Sequence, residues 1–307
     1  MAVKPAGKTR REFLTTTGVA AAGVLTLGAR LAFALPLGLP LGLQLFSVRE
    51  MLAKDYEETL KQIASLGYRE VEAAGFYGRS PAKVKAAMTA AGLSCIGAHY
   101  SFDDLNKAFD ETVAFGHALG LRYIICSFPG VKDPSRLKDH SFRTQVQSFT
   151  LDDFRWNADR VNAWGRKVKA GGMQFGYHNH TMEFAPISGV VPFDELMRLT
   201  DPGLVTFEMD CGWVIAGGGD PVAYLRGYPS RISMLHVKDF KPAEAPATAA
   251  DPPPAAELGR GTVDYRPIFA AAHGASIRHC FVEQEGFDIP PLEALKIDAE
   301  YMKHMHA

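Results

Sequence analysis

An α/β chain closed into a (β/α)₈ barrel is the fold this sequence predicts, and three observations carry that expectation. From Leu41 onward short apolar runs alternate with stretches of helical period, the pattern of parallel βαβ units. About eight such units follow one another, in the roughly 250 residues that a closed barrel needs. No GxGxxG or GxxxxGK(S/T) phosphate loop follows any of the apolar runs, as an open dinucleotide-binding sheet would require.

The first run is Leu41 to Phe46, followed by a helix over Tyr56 to Leu66 whose Tyr56, Leu60, Ile63 and Ala64 recur at helical spacing. Gly67 ends that helix, and Tyr68 to Glu72 reads as the second strand. Pro81 suits a helix start and Gly92 its stop, so Leu93 to Ala98 is the third strand. After Gly120 comes the fourth, Tyr123 to Ser127, and then a long polar crossing from Val131 to Thr150 before a helix over Asp152 to Ala170. Strands five to eight are Gln174 to His178, Val205 to Asp210, Ile232 to Val237 and His279 to Glu283. One stretch breaks the rhythm: residues 242–257, PAEAPATAADPPPAAE, are too rich in proline for a continuous ladder or helix. In a barrel this stretch is a loop on the catalytic face, either a lid or a solvated insertion.

Composition narrows the function. With 47% hydrophobic and 22% charged residues, the 307-residue chain has the apolar surface for one large core. A formal charge of −1 offers no cationic field for a nucleic-acid backbone, so nucleic acid is not an expected partner. Cys95, Cys126, Cys211 and Cys280 form no CxxC pair, which makes buried free thiols the expectation. At the N-terminus, Thr9-Arg10-Arg11-Glu12-Phe13-Leu14 precedes an Ala/Gly/Leu-rich stretch and the small-x-small pattern Ala32-Phe33-Ala34. Residues 1–34 thus resemble a cleaved twin-arginine export signal, with the translocase a partner during export and residues 35–307 forming a single barrel domain. The apolar stretch is too short for a stable membrane anchor. Cleavage removes five cations (Lys4, Lys8, Arg10, Arg11, Arg30) and one acid (Glu12), which moves the formal charge from −1 to −5. A periplasmic or secreted location follows from this reading.

In a barrel the strand C-termini converge on one site, so polar residues there carry the functional expectation. His178, Asp210, His236 and Glu283 end strands five to eight and make a mixed imidazole and carboxylate set. Such donors suit one divalent Mn, Fe, Co or Zn ion and are too rich in nitrogen for Mg or Ca. Alternation places His180 on the same face as His178, with Tyr177 and Asn179 on the other; a one-residue register decides which histidine reaches a metal. Lys238 shares the face of His236 and is placed to hold a substrate oxygen or to pair with Glu208 or Asp210. His99 and Glu72, at the ends of strands three and two, are placed for substrate hydroxyls, and Trp213, Phe46 and Phe76 for the apolar face of a sugar ring. His273, His279, His304 and His306 read as solvated or core histidines, and the glycines flanking Arg260 as turn residues.

Several blocks carry a family resemblance: Gly42-Leu43-Gln44-Leu45-Phe46-Ser47-Val48-Arg49, Gly67 to Glu72, the His-Asn-His-x-x-Glu of His178 to Glu183, Asp210-x-x-Trp213, Leu235 to Asp239, and Gly259 to Tyr265. Together they resemble the sugar phosphate isomerase/epimerase family, on the xylose isomerase-like TIM barrel that inosose dehydratases, ketose 3-epimerases and endonuclease IV share. The resemblance spans Leu41 to His304 apart from the Pro/Ala segment. It implies a metal held in ketose epimerases by Glu, Asp, His and Glu, of which Asp210, His236 and Glu283 match three. His178 stands where the first Glu is expected, so the paired-glutamate proton relay is incomplete, with His180 or Glu183 as candidate bases beside Glu283. Family members of this kind often pair, which makes a homodimer an expectation.

The chemistry these parts imply is enolisation. A divalent metal on a carbonyl and its neighbouring hydroxyl stabilises the enediolate formed when a base takes the adjacent proton. Returning the proton gives a sugar or cyclitol isomerase/epimerase, the leading reading, with Glu283, His180 and Lys238 as catalytic residues. Expelling a β-substituent gives a dehydratase or keto-glycoside lyase. The departure at His178 also admits a periplasmic carbohydrate-binding protein without turnover. Phosphodiester cleavage of the endonuclease IV type is disfavoured by the charge of −5 and the export signal.

Overall fold

A computed structural model describes residues 35–137, 139, 141–242 and 248–305, which leaves the expected export signal outside the described residues. Residues Ala34–Ala307 form one compact unit. Its centre is a closed barrel of eight parallel strands: β1 (Gly42–Gln44), β2 (Glu70–Ala73), β3 (Ser94–Ser101), β4 (Tyr123–Phe128), β5 (Gln174–His178), β6 (Val205–Asp210), β7 (Ile232–Val237) and β8 (His279–Val282). Each strand pairs with its sequence neighbours, and β8 closes on β1 with Gly42 opposite Phe281. The predicted fold class is the observed one.

The helix boundaries follow local chemistry. Ser80 caps the helix Pro81–Ala91 by accepting from the Lys83 N–H, and Gly92 stops it at φ 73°, where a side chain would be strained. Thr150 and Asp153 form a reciprocal capping box on the helix Leu151–Ala170, worth about 1 kcal/mol. β1 is shorter than expected because the Gln44 side chain accepts the Phe46 N–H and turns the chain into a 3-10 turn over Leu45–Val48. β3 is longer than expected, running to Ser101, which caps the following helix Phe102–Leu119. The polar crossing after β4 contains a helix, Phe142–Ser148, that apolar periodicity did not reveal.

Inside the barrel, alternation fills the lumen in layers. Ile96, Tyr123, Ile125, Met234 and Phe281 pack as an apolar plug. Two residues further along several of these strands the inward positions become polar: Phe281 is followed by Glu283, Met234 by His236 and then Lys238, and Gly176 by His178. That switch from apolar to charged positions the site at the carboxyl ends.

The described part of the Pro/Ala segment forms a short piece of ladder, in which Asp239–Phe240 pairs antiparallel with Ala255–Ala256, and an isolated antiparallel bridge between Thr248 and Asp251. Residues 243–247 lie outside the described residues, and the remainder is tied down. The Thr181 hydroxyl donates to the Ala249 carbonyl at 2.5 Å, and Arg143 pairs with Asp251. Among the described residues no helix is long and apolar enough to cross a membrane.

Candidate active site

The register brings the strand-end residues together. His178 lies opposite Glu208 across β5 and β6, and Asp210 lies opposite His236 across β6 and β7. One carboxylate oxygen, Glu208 Oε2, is 2.6 Å from His99 Nε2, 3.0 Å from His178 Nδ1 and 3.3 Å from His236 Nε2. Glu72 Oε2 is 2.8 Å from His99 Nε2 and 2.9 Å from His236 Nε2, and accepts from Gln44 Nε2 at 3.0 Å. On its other edge His236 presents Nδ1 to Glu283 Oε2 at 3.2 Å and to Asp210 Oδ2 at 3.9 Å. His178, Asp210, His236 and Glu283, the four expected ligands, therefore converge, with donor atoms within 4.8 Å of one another. A second set, His99, His178, Glu208 and His236, meets the same limit and shares two histidines with the first.

Lys238 reaches the upper side of this cluster. Its Nζ is 3.2 Å from Asp210 Oδ2, 3.0 Å from Glu283 Oε2 and 2.6 Å from Glu285 Oε1, and lies 4.0 Å from the Trp213 ring centroid. Gly212 lets the lysine stem pass, since a Cβ there would stand 2.3 Å from Lys238 Cγ. Of the two pairings expected for Lys238, Asp210 is the one observed; Glu208 faces the histidines instead.

Charge within the cluster is divided. Burial works against protonated His99, but Glu72 and Glu208 outweigh it and raise its pKa from 6.5 to about 10. His236 is likewise raised well above its ordinary value: burial opposes the charge, and Glu208, Glu283 and Glu72 overcome it. His178 is lowered and His180 lowered much further, both chiefly by burial. Burial opposes the Glu208 and Glu283 carboxylates, yet His236 and His99 hold the first well below its usual range, and Lys238 and His236 the second. The neighbouring carboxylates thus favour the protonated forms of His99 and His236, while burial favours the neutral forms of His178 and His180.

The remaining expectations sort by position. His178, not His180, meets Glu208; His180 lies in the following loop, its Nδ1 buried without a hydrogen-bond partner and its ring 5.8 Å from that of Trp213. Asn179, on the opposite face, exchanges hydrogen bonds with the Asp210 backbone at 3.1 and 3.2 Å. Glu183 also turns away: it accepts from the Tyr177 hydroxyl at 2.7 Å and the His180 N–H at 2.9 Å, so it supports the His180 loop. Its pKa is nevertheless pushed up to about 7, by burial. Glu72, expected at substrate hydroxyls, is fully buried beneath the histidines. Phe76 stacks on Phe115 at 4.4 Å, away from the cluster. His279 pairs with Glu70 at 2.8 Å, as befits a core histidine.

Above the cluster opens a cavity of about 480 Å³ whose wall includes His99, His178, His180, Glu283 and Glu285 on the polar side and Phe46, Tyr100, Phe128 and Phe142 on the apolar side. A smaller one of about 250 Å³ adjoins it, between Trp213, Lys238 and Glu283 on the barrel and Pro253 and Ala255 of the Pro/Ala segment. The described part of that segment around Pro253 and Ala255 thus borders the site. Glu208, Phe142 and Glu285 are site residues that sequence reasoning missed. Glu208 was legible as the position two before Asp210 on the same face of β6, whereas Phe142 arrives through a helix hidden in a polar crossing.

Two carboxylate oxygens in the cluster, Glu72 Oε1 and Glu208 Oε1, are buried without a hydrogen-bond partner, and so is Asp210 Oδ2, which has Lys238 and, at 3.9 Å, His236 as ion-pair neighbours. Buried orphaned oxygens beside convergent imidazoles are what a divalent cation would satisfy, so the donor set fits a transition metal.

Comparison with known proteins agrees with the barrel fold. The chain is similar to the inosose dehydratase of Lacticaseibacillus casei, with 25% identity over 254 residues, 76% of this chain and 79% of that protein. It is also similar to a sugar phosphate isomerase/epimerase from Parabacteroides distasonis ATCC 8503, with a TM-score of 0.68 and 27% identity over 86% of this chain and 97% of that one. A probable 3-DHS dehydratase from Bacillus anthracis shares the fold, with a TM-score of 0.63 and 13% identity over 86% of this chain and 98% of that one. With residues 60–305 matching the family profile as well, the chain belongs to the xylose isomerase-like TIM barrel family.

Proposed function

We propose that this protein is a divalent-metal-dependent enzyme that enolises a small polyhydroxylated carbonyl compound, a keto sugar or keto cyclitol. The observation that carries the reading is the joining of a buried histidine and carboxylate cluster to a cavity with one polar and one aromatic wall. Polar groups at one side and flat apolar groups at the other match a sugar ring, whose edges are hydroxylated and whose faces are not.

The residues that would hold the metal are drawn from His99, His178, Glu208, Asp210, His236 and Glu283. When bound, such a cation supplies Lewis-acid polarisation of a carbonyl oxygen. Glu283 is the base: its carboxylate is kept ionised by Lys238 and His236 and lines the cavity, where it can take a proton from the carbon beside the carbonyl. Lys238, held against Asp210, Glu283 and Glu285, keeps a positive charge beside the oxygen on which negative charge develops. His180, held neutral by burial, can donate a ring N–H to a departing or returning group and accept at the other nitrogen. His99 and Trp213 border the substrate space from either side.

Two outcomes follow from the same proton abstraction. Reprotonation makes an isomerase or epimerase, in keeping with the similarity to a sugar phosphate isomerase/epimerase. Loss of a β-hydroxyl makes a dehydratase, in keeping with the similarity to inosose dehydratase, and this second reading stands equal to the first. Proton NMR of keto sugars and inososes in D₂O with metal-loaded protein distinguishes them. Deuterium entry with an unchanged or rearranged skeleton marks the isomerase; loss of water with a conjugated, ultraviolet-absorbing product marks the dehydratase. Tight binding without deuterium entry at any carbon replaces both with a carbohydrate-binding protein. Residues 1–34 further support export by the twin-arginine translocase to the periplasm. Cell fractionation checks this: replacing Arg10 and Arg11 with lysine is expected to retain the protein in the cytoplasm.

A further inference from the structure

Residues 235–239 and 259–265 lie on either side of the Pro/Ala segment in the chain and meet in space. We propose that Asp239 and Tyr265 are positioning residues: they fasten the loop 259–265 to the carboxyl end of β7 and thereby fix the backbone from which His236 and Lys238 reach the site. Their part in a reaction rests on the enolising enzyme proposed above; the fastening itself does not.

The end of β7 needs support because it outruns its barrel neighbours. The ladder to β8 ends at Val237 opposite Val282, and the ladder to β6 ends at His236 opposite Asp210. Lys238, only 3% exposed, therefore has a backbone N–H and a carbonyl beyond the last pairing of either ladder. A buried backbone group left unpaired costs about as much as a lost hydrogen bond. The Tyr265 hydroxyl, fully buried, meets both groups: it accepts the Lys238 N–H at 2.8 Å and donates to the Lys238 carbonyl at 2.7 Å. One side-chain oxygen thus stands in for the missing strand. It grips backbone, so it holds Lys238 whichever way the ammonium group turns.

Asp239 makes the other half of the joint. Its carboxylate is buried and accepts four backbone N–H groups: Phe240 at 2.8 Å and Val263 at 2.9 Å on Oδ1, Gly259 at 3.0 Å and Gly261 at 3.1 Å on Oδ2. Three of these donors belong to the loop, which is wound around the carboxylate. With its acceptor positions filled, Asp239 has no capacity left for substrate, which separates it from the groups that line the cavity. Gly261 marks the closest approach, since a Cβ there would collide with Asp239 Oδ1 and with the Phe240 carbonyl. The Thr262 N–H completes the joint by donating to that carbonyl at 3.0 Å.

The joint lies between the site and the Pro/Ala segment. That segment leaves β7 by way of Phe240 and returns at Ala255, so without a fixed point its movement would pull on Lys238 through two residues of chain. Fastened at Asp239, the end of β7 keeps the geometry of His236 and Lys238 independent of what the segment does.

Hydrogen exchange read by mass spectrometry on the full-length chain tests the fastening without reference to turnover. Asp239→Asn and Tyr265→Phe are expected to speed exchange in peptides covering residues 236–240 and 259–263 by more than about tenfold, with peptides from β2 to β5 unchanged. Turnover of the same metal-loaded variants is followed by deuterium entry into a keto sugar or inosose, with melting temperature measured beside it. For a positioning role kcat falls by about 10- to 100-fold while KM stays within about threefold, because the cavity wall is intact and only the reacting groups are displaced. Tyr265→Phe keeps the ring and its packing, so it carries the test if Asp239→Asn does not fold. Unchanged exchange at residues 236–240 overturns the fastening. A lower melting temperature with kcat per folded molecule unchanged overturns the positioning role. Wild type that brings deuterium into no keto sugar or inosose overturns the enolising reading instead, and the exchange comparison still decides the fastening.

Discussion

At the residue scale the cluster separates groups that keep their charge from groups that lose it, and function and stability draw on that division differently. Glu283 is ionised because Lys238 and His236 face it, so Glu283→Gln removes a base while leaving an acceptor of nearly the same shape. Turnover is expected to fall by about 10²–10⁴, with substrate affinity and thermal midpoint little changed. Steady-state kinetics beside calorimetric titration check this, and an equal loss of binding would mark Glu283 as a substrate anchor instead. Asp298 shows the converse. It is buried on the helix Pro291–His304, where its Oδ1 accepts the Leu258 N–H at 2.7 Å and its Oδ2 has no hydrogen-bond partner. Burial, against the Leu258 hydrogen bond, raises its pKa from 3.8 to about 7. A carboxyl raised on folding favours the native state fully below its unfolded value, and that contribution is lost as pH climbs from 3.8 through about 7. Asp298→Asn keeps the acceptor and removes the titration. Unfolding free energy of the variant is therefore expected to fall less than that of the wild type between pH 5 and pH 8, by at most about 3 kcal/mol.

At the scale of elements, the barrel was legible in the sequence because its strands and helices differ in period and its helices carry their own stops, such as Gly92 and Gly120. His178, Asp210, His236 and Glu283 were legible for the same reason: each sits at the end of a recognisable strand. What escaped was set by tertiary register. Glu208 looks like a lysine partner until the β6 and β7 pairing, which shifts between Phe207 and Glu208, turns it toward three histidines. Phe142 escaped because its seven-residue helix has no fully buried position and hence no apolar stripe. The Pro/Ala segment could be read only as lid or insertion, since proline content says where a ladder cannot form and not what the loop touches. Besides the short ladder at Ala255–Ala256, two of its anchors are the Thr181 to Ala249 hydrogen bond and the Arg143 to Asp251 pair. Thr181→Val combined with Arg143→Ala is accordingly expected to raise KM about three- to tenfold through a looser border of the site, while an exposed ion pair of about 0–1 kcal/mol leaves the melting temperature nearly unchanged. Parallel kinetic and melting measurements check this, and a melting temperature that falls as much as affinity does would make the segment part of the barrel's stability.

Across the whole molecule, the apolar plug and the polar layer above it place opposite demands on stability. Ile96, Tyr123, Ile125, Met234 and Phe281 favour the closed barrel by leaving water, whereas Glu72, Glu208, Asp210 and Glu283 bring carboxylates into the same lumen at a desolvation cost. His99, His236 and Lys238 offset that cost only in part, because Glu72 Oε1 and Glu208 Oε1 remain orphaned. A cation that satisfies those oxygens binds the folded chain and has no comparable site in the unfolded one, so it must stabilise by mass action. At 100 times the dissociation constant the gain is about 2.7 kcal/mol, which for a chain of this size is a rise of several degrees in melting temperature. Calorimetry of chelator-stripped protein titrated with Co²⁺ or Mn²⁺ is expected to show that rise, continuing with the logarithm of free metal after the site is saturated. Mg²⁺ is expected to shift the midpoint far less, because a nitrogen-rich donor set offers it little. Equal shifts with Mg²⁺ would point to carboxylates alone as the ligands, with the histidines of the cluster left out of the coordination.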